Sequence, residues 1–308
     1  MQNNALMKNK ILAVGSVALD TIKTPFGKVK EALGGSATYF SAGARFFSPV
    51  SVVAVVGTDF PKKHLALMKR LGVDTSNISI EEGKTFRWTG EYDFDLNSAK
   101  TLKTELNVFA NFKPIINPEN RFCRVVFLAN IDPEIQHAVL SQVKRPSLSA
   151  CDTMNYWIQN KKKSLVGLLK KVDIFLCNEG EARELSGEYN LIQAARWLLS
   201  KGPRIAVIKK GEHGVLCFSR ESVFSAPAFL LESVFDPTGA GDTFAGGFIG
   251  YLAGAPSRIN ESVIRKAIIY GTVLASYNVE SFSLKRIAGL GRLDIEKRYK
   301  AFQVLTQF

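Results

Sequence analysis

The sequence predicts an α/β domain built on a mainly parallel sheet, with a small β insertion beside it. Three observations predict this. Short apolar runs and segments of helical period alternate along most of the 308 residues, the pattern of βα units stacked into a parallel sheet. Hydrophobic residues make up 46% of the chain, enough for a large core and too many for a disordered chain. Between residues 84 and 112 the alternation stops, and two β-prone runs follow one another without a helix between them. That is the signature of a hairpin.

In order, 11–15 is the first short apolar strand, and Gly34-Gly35-Ser36 opens a helix reaching about Phe47. A buried strand follows at 50–56, then a helix over 61–71, started by Pro61 and stopped by Gly72. The hairpin runs are 85–92 and 102–109, joined by a polar turn at Asn97-Ser98. The βα rhythm resumes with strands at 124–128, 148–151, 173–177 and 204–208, and helices at 133–142, 164–170, 179–185 and 191–200. Short strands are expected at 215–218 and 222–226, and helices at 242–254, 257–277 and 295–305. No internal repeat, low-complexity tract or linker interrupts the series.

One stretch carries chemistry. Val234 and Phe235 read as the end of a strand, and Pro237 biases Asp236 away from helix. Gly239 and Gly241 then admit a sharp turn, and Phe244, Phe248 and Leu252 fall on one helical face. A glycine-bearing loop at a helix N-terminus is an anion site, because its amides are unpaired and the dipole is positive there. Asp242 sits inside that site. A phosphate cradle enclosing a carboxylate points to phosphoryl transfer, with Asp242 taking the proton of an attacking hydroxyl. The loop is neither of the commoner phosphate loops: no Lys follows the glycines, and Phe244 breaks the GxGxxG spacing.

The string Asp236-Pro-Thr-Gly-Ala-Gly-Asp242-Thr-Phe, with Gly247-Phe248 beyond it, resembles the C-terminal signature of the PfkB (ribokinase-like) carbohydrate and nucleoside kinases. The resemblance covers nearly the whole chain after the first ten residues. It implies a ribokinase-like fold in a single kinase domain, 1–308, with lid insertions at about 16–33 and 84–112. It also implies ATP as donor, with the amides of Gly239, Ala240 and Gly241 as anion hole and Asp242 as general base. Asn178-x-x-Glu181 is similar to the family motif that holds Mg²⁺ through water, and it reads equally as a helix capping box. Lys209 to Gly214 is a hairpin turn and resembles the stretch lining ATP, which assigns Lys209, Gly211 and Gly214 to the nucleotide. Lys209 stands where Thr is usual, a point charge in place of a hydroxyl. Asn278 belongs to a stretch similar to the adenine border, and Asp236 to a K⁺ site known in several members.

For the acceptor, the resemblance points to Asp20 on two sugar hydroxyls and to Gly34-Gly35 as sugar platform and lid hinge. Tyr39 replaces the Asn of many members; a phenol there stacks on a ring or narrows the pocket. Asn130, Asp132, Asp152 and Asn155 follow two strands, where ligands bind open α/β sheets, Asn130 and Asp152 foremost. Arg87, Trp88 and Asn107 lie on the hairpin, over the pocket, in the core or in solvent.

Other classes fall away. Net charge is +12, from 40 Lys and Arg against 28 Asp and Glu. The cations are scattered and no nucleic-acid motif accompanies them, so they read as solvated surface with local help for ATP. Cys123, Cys151, Cys177 and Cys217 have no CxxC spacing and sit in apolar runs, as buried hydrophobes do. No signal-peptide core or membrane-length apolar run occurs, so a soluble cytoplasmic protein is expected. The sequence thus reads as an ATP-dependent kinase for a hydroxyl of a small sugar or polyol. A nucleoside kinase is the alternative, and a non-catalytic ligand sensor the alternative of another class. A homodimer through the lid is compatible with an exposed lid edge.

Overall fold

A computed structural model describes residues 9–97, 99–255 and 259–307. The chain opens on β1 (Ile11–Val14), buried at all four positions. Two strands of a second sheet follow, the mostly buried β2 (Ala18–Thr24) and the more exposed β3 (Gly27–Gly34), then helix α1 (Ser36–Ala44) and strand β4 (Val50–Gly57). Next come α2 (Lys62–Arg70), β5 (Asp74–Glu81), β6 (Arg87–Tyr92), β7 (Ala99–Glu105) and β8 (Val125–Leu128). The βα series continues through α3 (Pro133–Gln142), β9 (Leu148–Cys151), α4 (Asn155–Asn160), α5 (Lys162–Leu169) and β10 (Ile174–Asn178). After α6 (Glu179–Ser186) and α7 (Leu191–Ser200) lie β11 (Ile205–Lys209), β12 (Val215–Ser219) and β13 (Val223–Ala226). Helices α8 (Ala240–Gly254), α9 (Glu261–Asn278) and α10 (Arg292–Leu305) close the chain.

These strands form a nine-stranded sheet in the order β13-β12-β11-β10-β9-β8-β1-β4-β5. It is parallel from β11 to β5, and β12 and β13 add an antiparallel edge. Parallel pairing requires helical crossovers on both faces, which is why the inner strands are continuous apolar runs. The pleat sends Ile11 and Ala13 into one core and Leu12 and Val14 into the other. A consequence for function is that β8, β9, β10 and β11 all end at one edge. Asn130, Asp152, Asn178 and Lys209 therefore line up there, the edge where open α/β sheets bind ligands.

Helix α8 lies between α1 and α9. Phe244, Phe248 and Leu252 are buried, as their spacing predicted. The glycines of its first turns serve packing: a Cβ on Gly247 would stand 2.9 Å from the Gly271 Cα, and one on Gly246 2.3 Å from the Phe40 carbonyl oxygen. The second sheet has the order β3-β2-β6-β7, with β2 parallel to β6 and the outer pairs antiparallel.

The structure corrects several expectations. Residues 16–33 form the strand pair β2–β3, with Asp20 on β2. The second hairpin strand is Ala99–Glu105, not 102–109; Asn107–Asn111 forms a 3₁₀ turn that buries Val108 and Phe109 against the main domain. The hairpin turn expected at Asn97-Ser98 is described only at Asn97, since Ser98 lies outside the described residues. No strand ends at Val234-Phe235; the segment is irregular, and the Phe235 N–H donates to the Val279 carbonyl at 2.8 Å. Strand β5 and helix α4 were not anticipated, β5 because it is an edge strand whose single buried position is the polar Asn77. The helix expected from 257 begins at Glu261, capped by Asn260; residues 256–258 lie outside the described residues, as do 1–8 and 308 of the expected domain.

Candidate active site

The cradle forms where residues 236–239 meet α8. Gly239 is the N-cap in the left-handed region (φ 74°), and the Thr243 N–H donates back to its carbonyl at 2.8 Å. The preceding turn is fixed by Asp236, whose Oδ1 accepts from the Thr238 N–H at 2.9 Å. Asn278 fixes it from behind: its Nδ2 donates to the Thr238 carbonyl at 2.8 Å, and its Oδ1 accepts from the Thr243 hydroxyl at 3.2 Å. Asn278 is 1% exposed, so the residue expected beside adenine is instead a brace for the loop. A second expectation also shifts. The Ala240 N–H is turned to the Pro237 carbonyl at 3.1 Å. Among the described residues, the amides of Gly239, Gly241 and Asp242 are the ones left without a partner at this helix start.

Carboxylates surround the cradle. Burial pushes the Asp242 carboxyl up to about 8, Asp152 adds to this, Lys209 opposes it, and Asp20 and Glu181 raise it further. Asp20, 4% exposed, is pushed up to about 7 by burial, against a backbone hydrogen bond from Gly35 and with Asp236 adding repulsion. Gly34 has no room for a side chain, since a Cβ would stand 1.8 Å from the Asp20 Oδ2. Gly35 turns the chain from β3 into α1 with φ 96°. The Asp236 carboxyl, fully buried, is raised by burial and accepts at 3.4 Å from the Ser283 N–H. Tyr39 corrects its expected role. Its ring packs under Gly239, where a Cβ would stand 2.3 Å from the Tyr39 Cγ, and the residue is 1% exposed. It is a floor to the cradle rather than a stacking face. Among the described residues its hydroxyl has no partner, and burial followed by Asp20, Asp236, Tyr92 and Asp242 holds its ionisation far up.

On the opposite side lie the ends of β9, β10 and β11. Asn178 and Glu181 form a reciprocal capping box on α6: the Glu181 N–H donates to Asn178 Oδ1 at 2.8 Å, and the Asn178 N–H donates to Glu181 Oε2 at 2.7 Å. Lys209 Nζ donates to Asp152 Oδ2 at 2.6 Å. Asp152 is therefore tied to Lys209 across the end of β10. Gly211 and Gly214 both have positive φ in the following turn.

A profile describing the pfkB family of carbohydrate kinases matches residues 8–286. The chain belongs to this family. Its members are phosphotransferases with hydroxyl acceptors. Among relatives of this pfkB kinase, a cytidine kinase of Thermococcus kodakarensis is 32% identical over 254 residues, covering 80% of this chain and 90% of the relative. The fold is that of a Methanocaldococcus jannaschii nucleoside kinase, an archaeal member of the ribokinase family (TM-score 0.76, 20% identity, 95% and 98% coverage). It is also that of an E. coli chain assigned as a ribokinase II and solved with ATP and Mg²⁺ (TM-score 0.78, 18% identity, 95% and 99% coverage).

The residues of this pfkB kinase fit Mg²⁺ held through water. Its donors here are oxygens, and the cap leaves Glu181 Oε1 free. Among the described residues no three His, Cys, Asp or Glu side chains converge on one point. Other expected contacts are spent within the protein. Asn130 Oδ1 accepts from Trp157 Nε1 at 3.1 Å. Asp132 caps α3 and pairs with Lys161, and Asn155 donates to Glu184. Arg87 bridges Asp59 and Glu31, Trp88 Nε1 donates to Thr101, and Asn107 donates to the Thr85 carbonyl. Sequence reasoning missed Tyr92, whose hydroxyl accepts from Thr238 at 3.2 Å and ties the second sheet to the cradle. The period-two pattern Trp88, Gly90, Tyr92 was the available signal.

Proposed function

We propose that this protein transfers the γ-phosphoryl group of ATP to a sugar hydroxyl of a nucleoside. The observation that carries the acceptor class is the 32% identity to a cytidine kinase across 80% of the chain. Sugar or polyol acceptors are the second reading, favoured by the likeness to a ribokinase II. In this mechanism Asp20 accepts hydrogen bonds from acceptor hydroxyls, with Gly34 and Gly35 shaping the platform around it. The reacting hydroxyl gives its proton to Asp242 as its oxygen attacks phosphorus. The amides of Gly239, Gly241 and Asp242 hold the negative charge of the transferred group, a role suited to preorganised donors at a helix start. Gly211 and Gly214 leave the backbone open beside the nucleotide. Mg²⁺, when bound through water at Asn178 and Glu181, neutralises phosphate charge. Asp236 is the carboxylate we assign to a K⁺ ion.

The chain is treated as one kinase domain, with the β3-β2-β6-β7 sheet as lid over the acceptor. The lid leaves β3 and β7 as edges where a second copy would pair. Four free buried cysteines suit a reducing cytoplasm. Among the described residues no helix is long and apolar enough to cross a membrane.

Two measurements test this reading. ADP release from Mg·ATP is measured against nucleosides, pentoses, hexoses and polyols, with K⁺ in half of the wells. Nucleosides are expected to give at least about ten times the rate of free sugars, a difference of about 1.4 kcal/mol in transition-state binding. A response to free sugars alone overturns the acceptor. ATP binding without turnover of any acceptor overturns the kinase in favour of a ligand sensor. The second measurement is pH dependence. Asp242 must be ionised to act as base, and its carboxyl is held up to about 8. Log kcat/KM is therefore expected to climb with pH up to about 8 and level off above, since kcat/KM reports the free enzyme. A profile flat from pH 6 to 9 removes Asp242 from that role.

A further inference from the structure

We propose that Lys209 is a catalytic residue of this kinase: its ammonium, held by Asp152 against the cradle, contacts the terminal phosphate of ATP and the phosphoryl group in transfer. The inference rests on the phosphoryl-transfer reading above and adds to it a charged group that the sequence places 33 positions before Asp242.

The position follows from strand order. Asn178 of β10 is in register with Lys209 of β11, and β9 lies on the other side of β10. Asp152, one residue past β9, thus faces Lys209 across the end of the middle strand. The two meet at 2.6 Å, with side chains 3% and 17% exposed. A Cβ on Gly241 would stand 3.2 Å from this ammonium, which makes the Lys209 side chain the neighbour of that glycine outside its own helix start. A side chain at 241 would push the ammonium aside by a few tenths of an ångström.

An ammonium has three donors. Asp152 takes one, and among the described residues no other acceptor is within hydrogen-bonding distance of Nζ. A largely buried cation with two unused donors, leaning on a ring of unpaired amides, is built for an anion with several oxygens. Burial opposes the charge, but Asp152, Glu181 and Asp242 more than offset it, so the lysine stays protonated and serves as a cation rather than a base.

In the transfer, the acceptor O–H proton passes to the Asp242 carboxylate and the oxygen lone pair forms the new P–O bond. The bond from γ-phosphorus to the bridging oxygen breaks, and its electron pair leaves on ADP. Lys209 forms no covalent bond and keeps its proton; it neutralises charge on the non-bridging oxygens. Asp152 is a positioning residue, which stops the ammonium from collapsing onto Asp242. A purely structural ion pair between strand ends is the competing account, and the two differ in which nucleotides they affect.

The test is equilibrium binding of Mg·ATP, Mg·ADP and AMP to the wild type, Lys209→Met, Lys209→Arg and Asp152→Asn, with kcat and acceptor KM on the best acceptor. Lys209→Met is expected to weaken ATP by about ten- to a hundredfold, ADP by less than about threefold, and AMP not at all. It should lower kcat by about a hundredfold or more with acceptor KM unchanged. Lys209→Arg should restore most of both. Asp152→Asn should keep ATP affinity within about threefold while lowering kcat about tenfold, because the cation remains but is no longer held. If Lys209→Met does not fold, Lys209→Gln carries the same comparison. Equal losses for all three nucleotides, or none, overturn the proposal in favour of a structural pair. A wild type that binds no nucleotide overturns the kinase reading itself, a result separable from the behaviour of the Lys209 variants.

Discussion

Asp242→Asn is expected to lower kcat by about 10²- to 10⁴-fold while leaving the fold intact, the range for loss of a positioned general base. Asparagine keeps the shape of the side chain and the helix start, but cannot accept the proton of the attacking hydroxyl. The same variant should be more stable than the wild type at pH 8. Asp242 ionises at about 8 in the folded protein, against an ordinary 3.8. A raised folded-state value means that the native form holds the proton more tightly than the unfolded chain. Its contribution to stability is present below the ordinary carboxylate range and is lost as pH rises towards 8. Asparagine removes that loss, so the variant should melt higher at pH 8. The gap should close towards pH 4. Unaltered turnover in Asp242→Asn would remove it as the base, and a melting difference independent of pH would remove the electrostatic account of its environment.

Gly239→Ala should be nearly as damaging, for a steric reason. The residue sits at φ 74°, and its added methyl would lie 2.3 Å from the Tyr39 ring. The left-handed backbone alone costs a non-glycine residue about 1–2 kcal/mol. The ring cannot retreat easily, because Tyr39 is 1% exposed and packed on all sides. The loop must therefore lift, carrying the amides of Gly239 and Gly241 away from where the proposed mechanism places the transferred phosphate. Removing one such donor typically costs about 10²- to 10³-fold in kcat, and we expect at least that. Melting should fall by about 2–4 kcal/mol from strain and overpacking together. Turnover within about threefold of wild type would mean that this loop does not hold the phosphoryl group.

Most of the main sheet was legible because its inner strands are buried on both faces. A strand such as Val125–Leu128, Val-Val-Phe-Leu, then appears as an unbroken apolar run, within one residue of the expected 124–128. Strand β5 was not legible, since it is an edge strand whose single buried position is the polar Asn77, which leaves no apolar signature. In the pair β2–β3, the edge strand β3 was likewise hidden up to its buried end, while β2 is a buried inner strand whose Asp20, Thr21, Lys23 and Thr24 interrupt any apolar run. The cradle was legible because its geometry is local. Asp236, Gly239 and Asp242 lie within one turn and one helix start, so the residue types alone constrain the backbone.

What the sequence determined by itself was the layered α/β fold, the glycine turn into a helix at 236–242, and Asp242 in the first turn of that helix. These depend on periodicity and on contacts a few residues apart. Only the tertiary structure decided that Tyr39 is the floor under Gly239, that Asn278 braces the loop, and that Asp152 pairs with Lys209, 57 positions away in sequence. Those assignments depend on which strands are neighbours and on which side chains fill the space between helices. Local propensity carries no information about either, because strand order is set by how whole βα units pack.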